Sequence, residues 1–276
     1  LKNPNRLFVA YKPAGISSNQ LLSRIKRRYG VKKAGYSGTL DPFAKGVLII
    51  AFGNHGRLFR FLNKAPKRYR ATLWLGAYSP TLDIEQIEQI DTIAPLREEH
   101  IKEVIASLKG ELTYLPPKFS AKRLNGKRAY EFARAGIDVE LKTVTSTIYD
   151  IHLLHYCHPF VTFEATVSEG SYIRSLGEII ADKLGCAGAL SALERLNEGQ
   201  FVYDHEHPID VKTALGIPKN RYNGTIDSVL LGQPLSIEDF DSKESGFYWI
   251  DNGDTVSILE FAEDGVHYLL NKVEAC

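Results

Sequence analysis

The chain has 276 residues, 44% of them hydrophobic and 24% charged, with a formal net charge of +1. Those proportions describe a folded globular chain, excluding a disordered, collagenous or membrane-embedded one, and they leave length for one large domain or two smaller ones. The near-neutral total conceals an asymmetry: residues 1–82 hold sixteen Lys or Arg and a single acid, Asp41, a local charge of +15, while residues 83–276 carry −14. A dense basic block concentrates phosphates and repels itself, so it points to a polyanionic partner, with a solvated basic face as the plain alternative. Cys157, Cys186 and Cys276 are odd in number and lack paired spacing, which argues for a reducing compartment. No run approaches 18 apolar residues and Leu1 to Gly15 lacks the apolar stretch of a signal peptide, so a cytoplasmic location without a membrane partner is expected. There is no Met, position 1 included, which points to a trimmed start or to missing methionines.

Leu7 to Tyr11 reads as a short buried strand ended by Lys12-Pro13-Ala14-Gly15. Ser17 or Ser18 then caps a helix with Leu21, Leu22 and Ile25 on one side and Arg24, Lys26, Arg27 and Arg28 mostly on the other; Gly30 stops it. Val47 to Phe52 is an apolar strand and Arg70 to Leu75 another, with a basic helix between them carrying Arg57, Arg60, Lys64, Lys67 and Arg68. His100 to Leu108 is a helix, and Lys109 to Gly136 reads as an exposed basic insertion. Lys142 to Leu154 and Phe160 to Ser168 are strands, Ser175 to Leu184 is a helix with Gly185 past its end, and Ala189 to Leu196 suggests another helix. Val256 to Phe261 and Val266 to Leu270, joined through Asp264-Gly265, indicate a small β-rich C-terminal domain over residues 225–276, after a main domain over 1–224.

Asp41 is the first candidate for chemistry. A lone carboxylate among sixteen bases should be held ionised by its neighbours, and Gly35 and Gly38 let the backbone pass close to a ligand. The competing reading is structural: Asp41-Pro42 is a good N-cap and first-turn pair for a helix through Phe43 and Ala44. Arg68-Tyr69-Arg70, Arg28-Tyr29 and Arg128 with Tyr130 set rings beside cations, a pattern suited to stacking extruded bases between phosphate contacts, although a Tyr in a β-rich chain is more often core. In Glu169-Gly170-Ser171-Tyr172-Ile173-Arg174-Ser175 a strand ends and a helix begins, with an Arg able to pair with a carboxylate. His152, His155 and His158 recur every third residue, but strand geometry alternates their faces, and no phosphate-cradling or nucleophile-elbow motif is present.

The segment Gly35-Tyr36-Ser37-Gly38-Thr39-Leu40-Asp41-Pro42-Phe43-Ala44-Lys45-Gly46-Val47-Leu48 resembles the TruB family of tRNA pseudouridine synthases. Further family segments follow in order: Lys12-Pro13-x-Gly15, Lys67-x-Tyr69, Pro116 to Ala121 with Asn125 to Tyr130, and Gly170 to Leu176. The resemblance covers about residues 6–202 and implies a cofactor-free isomerase acting on the T-loop uridine of the tRNA T-arm, expected as a monomer. It implies an α+β fold with a mixed, largely antiparallel central sheet, flanking helices and an insertion over 109–136 that closes on the tRNA. Asp41 matches the catalytic aspartate, Tyr69 the tyrosine that stacks on the uracil, and Arg174 the aspartate's partner. Tyr172 and Leu193 match residues around the flipped base, Lys12 and Pro13 match a pocket wall whose role is mainly structural, and Lys12, Lys67 and Arg128 are expected on the substrate side. Tyr36 stands where the family usually has His, in the space the flipped base leaves. Glu194 stands where a base is usual, and Ser79 to Asp83 follows a Thr-Asp-rich stretch loosely; neither is expected to touch the chemistry. The resemblance implies a small RNA-binding β domain of the PUA type over 225–276, but the net charge of −9 there points to a degenerate one and predicts little contribution of the tail to tRNA affinity. A non-catalytic tRNA-binding or folding factor would need the basic clusters but not Asp41, Tyr69 and Arg174 together. A metal-dependent hydrolase is disfavoured by the single carboxylate of the basic half.

Overall fold

A computed structural model of the chain describes residues 5–119, 123–124, 127–128, 137 and 141–275. In β1 (Arg6–Lys12), Leu7 and Val9 enter one apolar cluster and Phe8 and Ala10 another, so the strand is buried on both faces. Ser17 caps α1 (Ser18–Tyr29) through a reciprocal pair of bonds with Gln20, and Gly30 closes it at φ 64°, a conformation that costs a residue without Cβ little. β2 (Ala34–Ser37) leads into the loop holding Asp41, and β3 (Lys45–Phe52) follows. Then come β4 (Lys67–Leu75), the short pair β5 (Ala77–Tyr78) and β6 (Gln89–Ile90), α2 (Glu98–Ala106) and β7 (Gly110–Tyr114). A second short pair, β8 (Arg123–Leu124) and β9 (Lys127–Arg128), precedes β10 (Val144–Cys157), β11 (Phe160–Val167), α3 (Ile173–Lys183) and β12 (Gly188–Glu198). The last three strands are β13 (Gly246–Asp251), β14 (Thr255–Ala262) and β15 (Gly265–Glu274).

The central sheet runs β1-β3-β12-β4-β11-β10-β7, with β2 added on β3. Its pairings are antiparallel except where β12 meets β3, with Glu194 opposite Lys45 and Arg195 opposite Gly46. β1 takes one edge of β3; β2 pairs residues 49–52 and β12 pairs residues 45–46 on the other. Gly46 makes that crossing possible: at φ +121°, a Cβ there would lie 2.2 Å from the Arg195 carbonyl oxygen. α2 and α3 bury one face of the β4, β10, β11 and β12 region around Leu73, Phe163 and Ile180. α1 covers Phe8, Leu48 and Ile50 of β1 and β3.

Several elements differ from the sequence expectations. Ala189 to Leu196 is no helix but the middle of β12, placed between β3 and β4, where sheet hydrogen bonds and the burial of Ala189, Leu190, Leu193 and Arg195 override the helical propensity of an Ala- and Leu-rich run. The basic segment after β3 is a 3-10 helix over Gly53–Arg60, which leaves Lys64 in a loop and puts Lys67 and Arg68 in β4. Residues 110–119 are not part of an exposed insertion: β7 is the sheet edge on β10, and Tyr114, Pro116 and Pro117 are buried. Most of the remaining insertion, and the side chain of Arg128, lie outside the described residues. The C-terminal strands form their own sheet, yet Trp249, Val256, Ile258, Leu270 and Val273 share one core with Leu7, Val9, Val47 and Ile49.

Candidate active site

Backbone contacts hold the 38–44 loop at three points. Ser18 Oγ accepts from Leu40 N and donates to Leu40 O, both at 3.0 Å, so the start of α1 clamps the residue before Asp41. Pro42 O, just after it, accepts from Gly15 N at 2.8 Å and from Lys12 Nζ at 3.2 Å. Lys12 is fully buried and also donates to Ile16 O and Pro13 O, at 2.6 and 3.0 Å. Burial pushes its ammonium down to about 8, against the pull of Asp41 and Glu85. At the other end, Gly38 O accepts from Arg195 Nη2 at 3.4 Å. Gly38 has φ +65°, and its α-carbon sits over Arg195, Lys67 and the fully buried Glu198. Glu198 lies 2.8 Å from Arg195 and 3.1 Å from Lys67. No helix follows Asp41: the Ala44 N to Asp41 O bond of 3.1 Å closes a turn that delivers residue 45 to β3. The carboxylate is therefore not spent on a cap.

It faces Arg174 instead. Arg174 stands in the first turn of α3 and is 5% exposed; its Nε lies 3.0 Å from Asp41 Oδ2. The rest of the guanidinium is fixed by Thr81 O and Phe119 O, each 2.7 Å away, and by Asp83 Oδ2 at 3.4 Å. Asp83 is buried and held by Thr81 Oγ1 at 2.7 Å and by Glu85 N at 3.0 Å. Asp83 thus does reach the presumed chemistry, contrary to the sequence expectation, and the arginine bridges two carboxylates. Nor is Asp41 simply held charged by its basic segment. Burial raises its pKa above the usual aspartate value; Arg174 and Lys12 pull it down, Asp83 pushes it up, and the net direction is upward.

About a third of the Asp41 side chain opens into a cavity of about 370 Å³. Its walls include Lys67, Tyr69, Tyr172, Arg174, Leu193 and Arg195, which come from β4, the turn before α3, α3 itself and β12. Tyr69 Cα lies opposite Arg195 in the sheet and Leu193 opposite Ala71, so one face of β4 and β12 forms the back wall. Tyr172 N donates to Tyr114 Oη at 2.9 Å, which ties the α3 turn to β7. Two expected site residues fall elsewhere: Lys12 is beneath the loop rather than on the wall, and Tyr36, half-buried against the α1 side, donates to Asn19 Oδ1 at 3.1 Å. Strand alternation also divides the Arg-Tyr-Arg cluster. Tyr69 faces the cavity, whereas Arg68 and Arg70 project from the opposite face and bind Glu164 of β11. Glu194 lies on that opposite face too, where its carboxylate accepts from Tyr11 Oη at 2.6 Å. Sequence reading missed Asp83 and Glu198. The Thr81-Leu82-Asp83 run was a signal for the first, while Glu198 has none, being one more acid in a mixed stretch.

A family model described as TruB family pseudouridylate synthase (N terminal domain) matches residues 26–173. The chain is 57% identical over 271 residues to tRNA pseudouridine synthase B of Sulfurimonas denitrificans, covering 98% of this chain and 99% of that one. It is 48% identical over 272 residues to the protein of the same name from Campylobacter concisus, covering 99% and 100%. Among solved structures, Cbf5 complexes superpose on it. The Cbf5-Nop10-Gar1 complex has a TM-score of 0.71 at 22% identity, covering 97% of this chain and 84% of that chain. The archaeal box H/ACA sRNP Nop10-Cbf5 complex has a TM-score of 0.68 at 21% identity, covering 98% and 86%. At such identities the structural likeness bears on the fold alone.

Proposed function

Because the chain belongs to the TruB family of pseudouridylate synthases and is a tRNA pseudouridine synthase, we propose that its target is the T-loop uridine of the tRNA T-arm, with Asp41 as the essential carboxylate. The observation that carries this reading is the Asp41–Arg174 pair at one side of a cavity walled by Tyr69, Tyr172 and Leu193. The enzyme works as a cytoplasmic monomer without a cofactor, residues 1–224 carry the catalysis, and 225–276 support them.

The reaction breaks the N1–C1′ bond of uridine, turns the uracil, joins C5 to C1′, removes the C5 proton and leaves a proton on N1. It is an isomerisation and needs an ionised carboxylate in a pocket that keeps the detached base in place. A uridine held in a folded loop is first extruded, at a cost of about a few kcal/mol. Stacking on Tyr69, on the order of 1–3 kcal/mol for a base on an aromatic ring, offsets much of it. Tyr69 is the candidate to handle the C5 proton, Tyr172 and Leu193 confine the turning base, and Arg174 stabilises the ionised form of Asp41. Lys67 and Arg128 are assigned to the RNA side of the site, Tyr36 and Lys12 to its support.

Asp41→Asn is expected to leave tRNA binding intact and to abolish tritium release from C5-labelled uridine in tRNA. Retained release refutes the assignment of Asp41. Pseudouridine mapped outside the T-loop refutes the target.

A further inference from the structure

At the mouth of the cavity, Glu169 is placed between two lysines. Its Oε1 lies 3.3 Å from Lys64 Nζ and 3.7 Å from Lys67 Nζ, and its side chain is 54% exposed. The lysines are the fixed partners. Lys67 is 8% exposed and anchored from below by the fully buried Glu198 at 3.1 Å, so the ammonium keeps its outer donors for the mouth. Lys64, 15% exposed, sits in a loop clamped through Asn63 N to Ala214 O at 3.2 Å and Gly199 N to Pro66 O at 2.9 Å. Two oriented cations with a displaceable anion between them make a preformed anion site. Lys64, Lys67 and Arg195 against Glu198 leave a local charge of +2 once Glu169 swings out.

We infer that Lys64 and Lys67 form a subsite for a backbone phosphodiester flanking the flipped uridine, and that Glu169 occupies it as a stand-in until RNA arrives. The inference rests on the preceding reading of the cavity as the uridine site. The Glu169 end of the pair is solvent-exposed and therefore weakly held, and a phosphodiester brings the same single charge and two outer acceptor oxygens, so it replaces the carboxylate like for like while the rest of the bound RNA supplies the contacts that tip the exchange. The carboxylate in turn disfavours anions that bring no further contacts with the cavity.

Equilibrium binding of an unmodified tRNA transcript, measured in the Asp41→Asn background to prevent turnover, tests the subsite. Glu169→Gln should tighten binding about three- to tenfold, a gain that a damaged fold does not produce. Lys64→Gln should weaken it by a similar factor and reduce the slope of log K against log salt by about 0.7–0.9. With a T-arm hairpin carrying uncharged methylphosphonate linkages on both sides of the target uridine, the Lys64→Gln effect should vanish. Unchanged or weaker binding by Glu169→Gln, an unmoved salt slope in Lys64→Gln, or an effect that persists with the uncharged linkages overturns the inference. Failure of the uridine reading is scored separately, by wild-type enzyme that makes no T-loop pseudouridine.

Discussion

Arg174→Lys keeps the positive charge and tests what the shape of the guanidinium supplies. In the native site one planar fork serves Asp41 through Nε at 3.0 Å, Thr81 O through Nη1 and Phe119 O through Nη2, each at 2.7 Å, with Asp83 at 3.4 Å. An ammonium is a point charge on a shorter reach and cannot span acceptors on three segments. Losing two charge-assisted bonds, at about 1.5–3 kcal/mol each, removes about 3–6 kcal/mol, divided between the fold and the placement of Asp41. If about 3 kcal/mol falls on the chemical step, kcat drops by more than about a hundredfold. The pH dependence carries an independent sign. Burial already raises the Asp41 pKa and Arg174 opposes that rise, so a less well placed cation moves it further up. Because the ionised form is required, the acid limb of kcat shifts to higher pH and the deficit relative to the parent enzyme widens as pH falls. Single-turnover tritium release across an acidic-to-neutral pH series measures both. A variant within threefold of the parent at every pH, with its acid limb unmoved, refutes the bridging role of Arg174.

Asp83→Asn should act with the opposite sign on the same limb: removing a negative neighbour lowers the Asp41 pKa and moves the acid limb to lower pH, as the same series would record. Gly46→Ala places a Cβ 2.2 Å from Arg195 O at φ +121°, so the β3–β12 crossing must part. A loss of more than about 3 kcal/mol in denaturant unfolding is expected, large for a one-methyl change. Deleting residues 246–275 uncovers Leu7, Val9, Val47 and Ile49, each worth about 1.5–3 kcal/mol of burial. The truncated chain should lose thermal stability and soluble yield. A stable, soluble fragment with unchanged melting would show that the C-terminal sheet is dispensable to the core.

Much of the candidate site was legible because rare local features mark its residues. Asp41 is the one acid in 82 residues, and Arg174 sits at a strand-to-helix junction whose composition marks it. The upward direction of the Asp41 pKa was not legible, because it depends on burial and on Asp83, forty-two residues away in sequence, sharing the same guanidinium. The Arg68-Tyr69-Arg70 reading went astray for a local reason: neighbours in a strand face opposite ways, so a cluster in sequence is divided in space.

Periodicity, caps and turns by themselves determined β1, α1 with a serine cap at 17 or 18 and its Gly30 stop, β3, α3 and the β14–β15 hairpin, because those signals act within a few residues; the structure chose Ser17. The charge asymmetry by itself indicated the polyanionic partner. Only the tertiary structure decided that the Ala189 to Leu196 run is a strand, since its conformation is set by the slot between β3 and β4 and not by its own propensity. Only it decided that Lys12 lies beneath the 38–44 loop that carries Asp41, that Glu198 organises two cations under Gly38, and that the acidic C-terminal sheet shares a core with β1 and β3. Each of these depends on groups far apart in the chain, whose meeting follows from strand order and packing rather than from any residue's neighbours.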